Sequence, residues 1–265
     1  MLSHKAPMPV YTLVTALAFL AFAFLAFAFV ASSNASAEQY DNKALIPYSI
    51  DYTSEYRIGW FSFDIDATRT LEQRSGNLWH VGFDAEASIA SLHEESDFIF
   101  KDGQITPVNY RYRASGMIDE PDRTLHFIAD TQSIEDLERE RDRDHHWQDG
   151  IQDNLTYMLQ AGLELSAGQT DFTLPVFEKS KTKPFRFRVV KKEEIKIKAG
   201  TFNAIKIEQV RDDKKREVHA WIADMPGYPL IRLRDKKDGK LRYQIQATKV
   251  SYPDKVTASS DNTVR

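Results

Sequence analysis

Two adjacent histidines, His145 and His146, stand in an acidic stretch and offer the clearest metal-binding chemistry of the chain. Neutral imidazole and carboxylate are suitable ligands for zinc or nickel. The carboxylates close to the pair in sequence are Asp142, Asp144, Asp149 and Asp153. Adjacent side chains usually diverge, and no third ligand follows at helical spacing. The pair is therefore a weak metal candidate, with solvated surface as the alternative, and we expect no metal and no cofactor.

Histidine-based hydrolysis is the second chemistry that the residue types allow. A general base could come from His80, His93, His126 or His219. The hydroxyl candidate Ser115 lacks a Gly-x-Ser-x-Gly elbow, and neither a phosphate-binding glycine loop nor a dinucleotide fingerprint is present. A catalytic triad is defined by geometry, so the sequence leaves a hydrolase open as the less favoured class. We assign no catalytic residue.

Three Arg-x-Arg units, Arg111/Arg113, Arg186/Arg188 and Arg232/Arg234, are candidates for anion binding. In a strand, residues i and i+2 share a face, so each unit presents a basic pair. Neighbouring units would form a patch that could fork onto carboxylate or phosphate. The alternative is that the arginines pair across strands with acidic residues. Of the three units, the first two are included in the set of candidate ligand-binding residues.

Trp147 and Tyr157 complete that set because they flank the start of a helical pattern. They could line the mouth of a cavity that the helix covers, or they could dock the helix onto the sheet. Either role requires a sheet to which the helix packs.

Composition removes several classes of protein. The chain has 265 residues and no cysteine, which excludes disulfide scaffolds, thiolate metal sites, cysteine nucleophiles and a lipid-modified cysteine. Its 35 basic and 39 acidic residues give a net charge of -4, so nothing in the global charge favours binding to nucleic acid.

Alternating apolar and polar residues predict that the body is built from strands. Phe61–Leu71 places Phe61, Phe63, Ile65 and Ala67 on one face, and the period-2 pattern recurs near Trp79–Ile89, 108–114 and 241–247. Asp102-Gly103 and Asp238-Gly239 supply the positive φ angles of tight hairpins. We expect about a dozen antiparallel strands in a meander, forming a strongly curved sheet or a partly open β-barrel.

A single amphipathic helix interrupts the strands. Ile151, Leu155, Met158, Leu159 and Leu163 follow a 3.6-residue period, so we expect a helix of about 12–15 residues. It begins at Gln152 or Asp153, ends before Gly168, and packs on the sheet or plugs it. The charged stretch Glu135–Asp149 is expected to be a mobile connection or a solvated extension.

The N-terminus has the order of a secretory signal peptide. Lys5 precedes the apolar run Val10–Ala31, and Ala35-Ser36-Ala37 provides a small-x-small cleavage site before Glu38. The run of 22 residues is long for a signal peptide, so an uncleaved anchor is the alternative and the only route to a membrane. We expect a signal peptide over residues 1–37, one β-rich domain over 38–253 in the periplasm, and a disordered tail over 254–265.

Several local strings, in order after this leader, resemble a bacterial envelope family known as domain of unknown function 3108. The resemblance lies in strings that include Asp102-Gly103-Gln104-Ile105-Thr106-Pro107, Asp153-Asn154-Leu155-Thr156-Tyr157, Phe185-Arg186-Phe187-Arg188-Val189, Ala199-Gly200-Thr201-Phe202 and Trp221-Ile222-Ala223-Asp224. The similarity covers roughly residues 45–250. It implies an exported, β-rich protein and carries no activity.

The sequence therefore favours a non-enzymatic periplasmic protein. A barrel of this size can enclose an apolar ligand. The hypothesis is a carrier or chaperone for a lipid or another hydrophobic small molecule of the envelope. The alternative is a structural or interaction module that binds an envelope protein.

Overall fold

Fourteen strands and one α-helix make up most of the described chain. The computed structural model describes residues 45–58, 61–116, 120–139, 141–142, 146–213 and 215–253. The strands are β1 Tyr48–Ile58, β2 Phe61–Ser75, β3 Leu78–Ala87, β4 Ala90–Lys101, β5 Gln104–Gly116, β6 Arg123–Ile128, β7 Ser133–Asp136, β8 Arg141–Asp142, β9 Asp171–Glu178, β10 Lys181–Ile197, β11 Gly200–Val210, β12 Arg216–Ala223, β13 Leu230–Lys237 and β14 Lys240–Ser251. Helix α1 spans Thr156–Ser166, and a 3₁₀ turn covers Leu137–Arg139.

The strands form one antiparallel sheet in the order β8-β7-β6-β5-β4-β3-β2-β1-β14-β13-β12-β11-β10-β9. Every neighbour is adjacent in sequence except β1 and β14, which pair from Ser49↔Ser251 to Tyr56↔Tyr243. The β10–β11 hairpin also reaches back to β14, because the Ala199 N–H donates to the Ala247 carbonyl at 3.2 Å. The predicted antiparallel meander with a strongly curved sheet and one helix is confirmed.

The Asp-Gly turns have the backbone that the sequence predicts. Asp102 and Gly103 have φ of 51° and 79°, and Asp238 and Gly239 have 50° and 73°. Positive φ at both central residues gives the turn a twist that matches the flanking strands. These two hairpins join β4 to β5 and β13 to β14, and thereby set the register of the strands that surround the interior.

Alternation places the core on the face of the sheet that packs against α1, called here the inner face. The helix region contributes to two buried clusters: Leu155, Leu159 and Leu163 belong to one with residues of β1–β7 and β9–β14, whereas Met158, Ala161 and Leu165 belong to one with β9–β13. Trp221 and Ala223 of the first cluster lie on the other face of β12, opposite Ala220 and Ile222 of the second. Strands thus enclose the helix on several sides. Of the two arrangements left open by the sequence, the helix therefore plugs the sheet and does not lie on one surface of it.

The helix begins later than its periodicity indicates. Ile151 and Gln152 lie before it in extended chain, and Gln152 bridges β9: its N–H donates to the Pro175 carbonyl, and its own carbonyl accepts the Phe177 N–H, both at 2.8 Å. The first helical residue is Thr156, and Asp153 Oδ1 stabilises this start by accepting the N–H groups of Leu155 and Thr156. At 11 residues α1 is far shorter than a bilayer span, and no other helix of the described residues reaches that length.

The interpretation of Glu135–Asp149 as a mobile or solvated connection is wrong for its first part. Glu135 and Asp136 belong to β7 and pair with His126 and Leu125 of β6, and Asp136 is only 1% exposed. A run of charged residues has no apolar period from which a short paired strand could be detected. The predicted leader, its cleavage site at Ala37 and Glu38, and the tail over 254–265 lie outside the described residues.

Candidate binding site

A cavity of about 520 Å³ opens where the N-terminus of α1 meets the inner face of β4 and β5. The size falls in the range of small-molecule sites. Its walls combine aromatic rings with charged groups from β4–β6, the start of α1 and the β9–β10 hairpin: Glu94, Tyr110, Tyr112, Asn154, Tyr157 and Phe185. The cavity exists because α1 begins only at Thr156, which leaves the region beside the first turn unfilled by the helix.

Strand register brings two charged residues into the interior beside this cavity. Arg69 of β2 pairs with Phe83 of β3, Phe83 pairs with Glu94 of β4, and Glu94 pairs with Tyr112 of β5. Residues in such a row share one face of the sheet. This row therefore carries one basic and one acidic residue across the inner face at the level of the helix start.

Glu94 is the acidic member of this row. Its carboxylate accepts a hydrogen bond from the Tyr110 hydroxyl, which in turn accepts one from Asn154 Nδ2 at 3.1 Å. Burial raises the pKa of Glu94 to about 7, partly offset by the Tyr110 hydrogen bond and by Arg69. Glu94 therefore gains or loses its proton near neutral pH, inside a cavity.

Arg69 is the basic member and is only 6% exposed. Its Nη2 donates to the Leu155 carbonyl at 2.9 Å, which ties β2 to the start of α1. Its Nε is buried without a hydrogen-bond partner in the described structure. The charge of Arg69 also lowers the pKa values of Tyr48 and Tyr52 against the larger raising effect of burial.

Asp153 fixes the helix that forms the cavity wall. Its Oδ1 accepts the N–H groups of Leu155 and Thr156, both at 2.8 Å, and Ser96 Oγ donates to Oδ2 at 2.5 Å. Burial raises the pKa of Asp153, while these hydrogen bonds lower it. A buried cap joined to β4 holds the first turn of α1 at a fixed position relative to Glu94.

The rim of the cavity carries both signs of charge. Arg123 and Arg139 contribute cations, Lys179 another, and Glu120 and Glu178 contribute carboxylates. Burial, followed by the charge of Arg139, lowers the pKa of Arg123. Charge of both signs at the rim suits a ligand that has a polar or zwitterionic end.

A second, apolar space lies on the same inner face. This cleft of about 180 Å³ is lined almost wholly by apolar side-chain surface from β1–β3 and β14: Tyr52, Ile65, Ala67, Phe83, Ala85, Tyr243 and Ile245. Phe83 lies next to both spaces, because it lines the cleft and pairs with Glu94, which lines the cavity. The inner face thus carries an apolar space and a polar one at neighbouring strand positions.

None of the described histidines lines the cavity. His80 and His93 pair instead with carboxylates across strands: His80 Nδ1 lies 2.8 Å from Asp97 Oδ1, and His93 contacts Asp84. Because inner and outer residues alternate along β3 and β4, these histidines lie on the face opposite Glu94. The arrangement places aromatic, carboxyl and guanidinium groups around a space suited to binding.

The two aromatic residues proposed from sequence are placed differently. Tyr157 lines the cavity and packs on Phe185 and Phe187, with ring centroids 5.6 and 6.1 Å apart. It therefore combines the two roles that the sequence left open. Trp147 is partly buried against the core cluster that holds Leu155, and it is not among the residues that line the cavity.

The arginines proposed from sequence point away from the cavity and pair with acidic residues. Arg111 Nη1 lies 2.6 Å from Glu95 Oε1, and Arg113 Nη1 lies 3.3 Å from Glu138 Oε1. Arg186 makes two bonds to Asp171 at 2.8 and 2.7 Å, and Arg188 Nε donates to Glu208 at 2.9 Å. This geometry matches the cross-strand alternative, and ligand binding by these four stays a prediction.

The histidine pair proposed for metal is only half described. His145 lies outside the described residues, and the His146 carbonyl accepts a hydrogen bond from Thr182 Oγ1 at 2.5 Å. Among the described residues no group of three or more His, Asp or Glu side chains is placed to hold a metal ion. A metal at this pair stays a prediction.

Sequence reasoning missed Arg69 and Glu94 as site residues, and it named Asp153 only as a possible helix start and as a carboxylate near the histidine pair. A signal existed for the first two, since each stands in the apolar register of its strand: Ala67-Arg69-Leu71 and Leu92-Glu94-Ser96-Phe98 alternate with residues of the outer face. A charged residue in such a register must find a partner inside the fold or line a space.

Similar solved structures are known, although no curated protein matches the chain. A β-barrel-like protein of domain of unknown function DUF1849 from Brucella abortus has a TM-score of 0.54 at 9% identity, over 79% of this chain and 99% of that one. This likeness concerns the fold alone. A structure from Bacteroides fragilis, described as an exported protein with a YmcC-like fold, has a TM-score of 0.34 at 10% identity, over 78% and 96%. One from Parabacteroides distasonis, described as a lipoprotein, has 0.33 at 9%, over 78% and 95%.

Family membership follows from the sequence over most of the body. The family model matches residues 47–246, which begins just before β1 and ends within β14, and so includes every element around the cavity and the cleft. The match confirms the resemblance drawn from the local strings. The chain belongs to the family described as Protein of unknown function (DUF3108).

Proposed function

We propose that the protein is an exported, non-enzymatic carrier that binds an amphipathic small molecule, such as a lipid of the envelope, on the inner face of its sheet. The observation that carries the proposal is the adjacency of the apolar cleft and the polar cavity through Phe83. An acyl or other apolar group would occupy the cleft. The polar end would lie near Glu94 and Tyr110.

The way in which α1 fills the interior supports a site of limited size. Buried helix residues pack against strands on both sides, so the interior between the two core clusters is occupied by the protein itself. The space that remains lies at the start of α1 and at the inner face of β1–β3. We therefore expect one bound molecule or part of one, and not a large lipid load.

Native mass spectrometry of the full chain, purified from the compartment to which it is exported, tests this proposal. We expect a mass increment that is released by organic extraction and identified as an amphiphile. A stable protein partner recovered without any such molecule would favour the alternative of an interaction module. An unliganded mass, together with no binding of added amphiphile, would show that the carrier proposal is wrong.

A variant that fills the cleft locates the site. Ala85→Phe places a ring in the cleft from its half-buried position on β3, whereas Glu86→Phe, the matched control, places the same ring on the exposed outer face. With cis-parinaric acid as the fluorescent probe, we expect saturable binding by the parent protein and by Glu86→Phe. Binding by Ala85→Phe should weaken about tenfold or more, since the apolar surface is no longer available. Equal binding by all three would place the ligand elsewhere.

Export is part of the proposal and rests on the sequence of residues 1–37. N-terminal sequencing of the protein recovered from the periplasm should begin at Glu38. A mature chain that still contains Val10–Ala31 would indicate the anchored alternative, in which the carrier is tethered to the membrane.

A further inference from the structure

One of the three Arg-x-Arg units differs from the other two. Arg111, Arg113, Arg186 and Arg188 each form an ion pair with Asp or Glu. Arg232 and Arg234 of β13 form none with any residue that the structure describes. A pair of guanidinium groups without carboxylate partners, in a protein where the equivalent pairs all have them, calls for a separate explanation.

These arginines belong to a basic cluster around Trp221 on the outer face of β11–β13. Register places Lys206 and Arg232 on either side of Trp221, and Arg234 beside His219. The Lys206 Nζ lies 5.2 Å from the ring centroid, and the guanidinium carbons of Arg232 and Arg234 lie 5.6 and 5.1 Å from it. Trp221 itself is 4% exposed, because it belongs to the larger core cluster and the three cations lie around its ring.

Most hydrogen-bond donors of the two guanidinium groups have no acceptor among the residues that the structure describes. Arg232 Nη2 makes only long contacts, 3.4 Å to the Lys196 carbonyl and 3.3 Å to Gln246 Oε1, and its Nε is buried without a partner. Arg234 Nε donates to Gln244 Oε1 at 2.9 Å. Because a guanidinium carries five N–H donors, both groups are short of acceptors.

The acidic residues nearest to the cluster are engaged elsewhere or stand at its margin. Glu193 accepts the Trp221 Nε1 hydrogen bond at 2.9 Å and pairs with Lys191 at 2.9 Å. Glu208 pairs with Arg188. Glu217 is exposed, and lies on the same face of β12 beyond His219. Burial, followed by the positive charge of Lys206, lowers the pKa of His219, while Glu208 and Glu217 oppose that effect.

We propose that Lys206, Arg232 and Arg234 bind a phosphate-type oxyanion on the outer face of the sheet. Trp221 holds the cations side by side through its ring, and an oxyanion supplies the acceptors that the two guanidinium forks lack. Phosphate chemistry reaches such a site either as a free phosphate ester or as the phosphate of a lipid headgroup. The site lies on the opposite face from the cavity, so it is independent of the carrier proposal.

The test compares Arg232→Gln/Arg234→Gln with the matched control Arg186→Gln/Arg188→Gln, which removes the same charge from an acid-paired unit. Inorganic phosphate is titrated by calorimetry at low ionic strength. Vesicles of phosphatidylglycerol in phosphatidylcholine are compared with phosphatidylcholine alone by co-sedimentation. We expect the parent and the control to bind phosphate, and the Arg232/Arg234 variant to bind at least about tenfold more weakly.

The phosphate titration and the vesicle experiment distinguish the two sources of the anion. Binding of inorganic phosphate indicates a free phosphate ester, whereas binding of phosphatidylglycerol vesicles alone indicates a lipid headgroup. In either case the bound anion should raise the pKa of His219, which NMR can measure. If the double variant unfolds, the single variant Arg234→Gln replaces it in both experiments. Failure to bind either probe, or an equal loss in the control variant, would overturn the proposal.

Discussion

Arg69 and Glu94 lie in one cross-strand row with Phe83 between them, and they form no ion pair within the described structure. Each has taken a different partner: Arg69 donates to the Leu155 carbonyl, and Glu94 accepts from Tyr110. The two opposite charges therefore do not pair directly: Arg69 is tied to the start of α1, and Glu94 lies at the wall of the cavity.

Glu94 should make stability depend on pH. Its pKa is about 7 in the folded protein, against 4.5 for an ordinary Glu, so the unfolded chain loses this proton first as pH rises. Stability therefore falls between about pH 4.5 and 7, by about 3 kcal/mol from this group, and stays lower above pH 7. Urea denaturation across this range should show that Glu94→Gln, which cannot ionise, is the more stable protein at high pH.

The control for that measurement is Glu95→Gln on the outer face of the same strand. Glu95 pairs with the half-exposed Arg111 and, after the Asp84 hydrogen bond, helps to raise the pKa of His93 from its ordinary 6.5. Its loss should therefore cost less than about 1 kcal/mol and leave the slope between about pH 4.5 and 6 unchanged, because His93 titrates above that range. If Glu94→Gln kept the full slope of the parent protein, Glu94 would not be the group that titrates there.

Removal of Arg69 should destabilise the protein far more than removal of an exposed arginine on the same strand. Arg69→Met leaves the buried Leu155 carbonyl without its donor and removes a charge that lowers the pKa of Glu94. We expect a loss of about 2–4 kcal/mol in the free energy of unfolding, and a steeper pH dependence. Arg74→Met, in which only the exposed pair with Glu72 is lost, should cost under about 1 kcal/mol.

The strand pattern was predictable because alternation is a local property. Trp79, Val81 and the Asp-Gly turns each identify their element without reference to the rest of the chain. The site was not predictable in the same way, because Arg69 and Glu94 meet only through the register of β2, β3 and β4. The carboxylate partners of Arg186 and Arg188 likewise depend on register, which sequence alone does not set.

Two substitutions of Asp153 should distinguish the contribution of its hydrogen bonds to stability from that of its charge. Asp153→Ala removes the acceptor of two backbone N–H groups and of Ser96, so we expect a loss of about 2 kcal/mol or more. Asp153→Asn retains an acceptor for the helix and removes a buried charge, so its loss should be smaller than that of Asp153→Ala. Equal losses in thermal unfolding would indicate that the charge, and not the cap, is what the fold requires.

Substitution of Gly162 by Ala should destabilise the protein, although Gly→Ala normally favours a helix. In an exposed helix Gly→Ala stabilises by about 1 kcal/mol, but a Cβ on Gly162 would lie 3.0 Å from the Tyr228 carbonyl oxygen and 3.2 Å from its Cβ. Tyr228 already has φ of 44°, so the backbone that would have to move is one that an L-residue rarely adopts. We therefore expect Gly162→Ala to destabilise the protein by about 1–2 kcal/mol. The control is Glu164→Ala, at a half-exposed position of the same helix, which should change the free energy of unfolding by less than about 1 kcal/mol. Chemical denaturation of both variants decides the sign, and a stabilised Gly162→Ala would show that α1 is not held this closely against the β12–β13 connection.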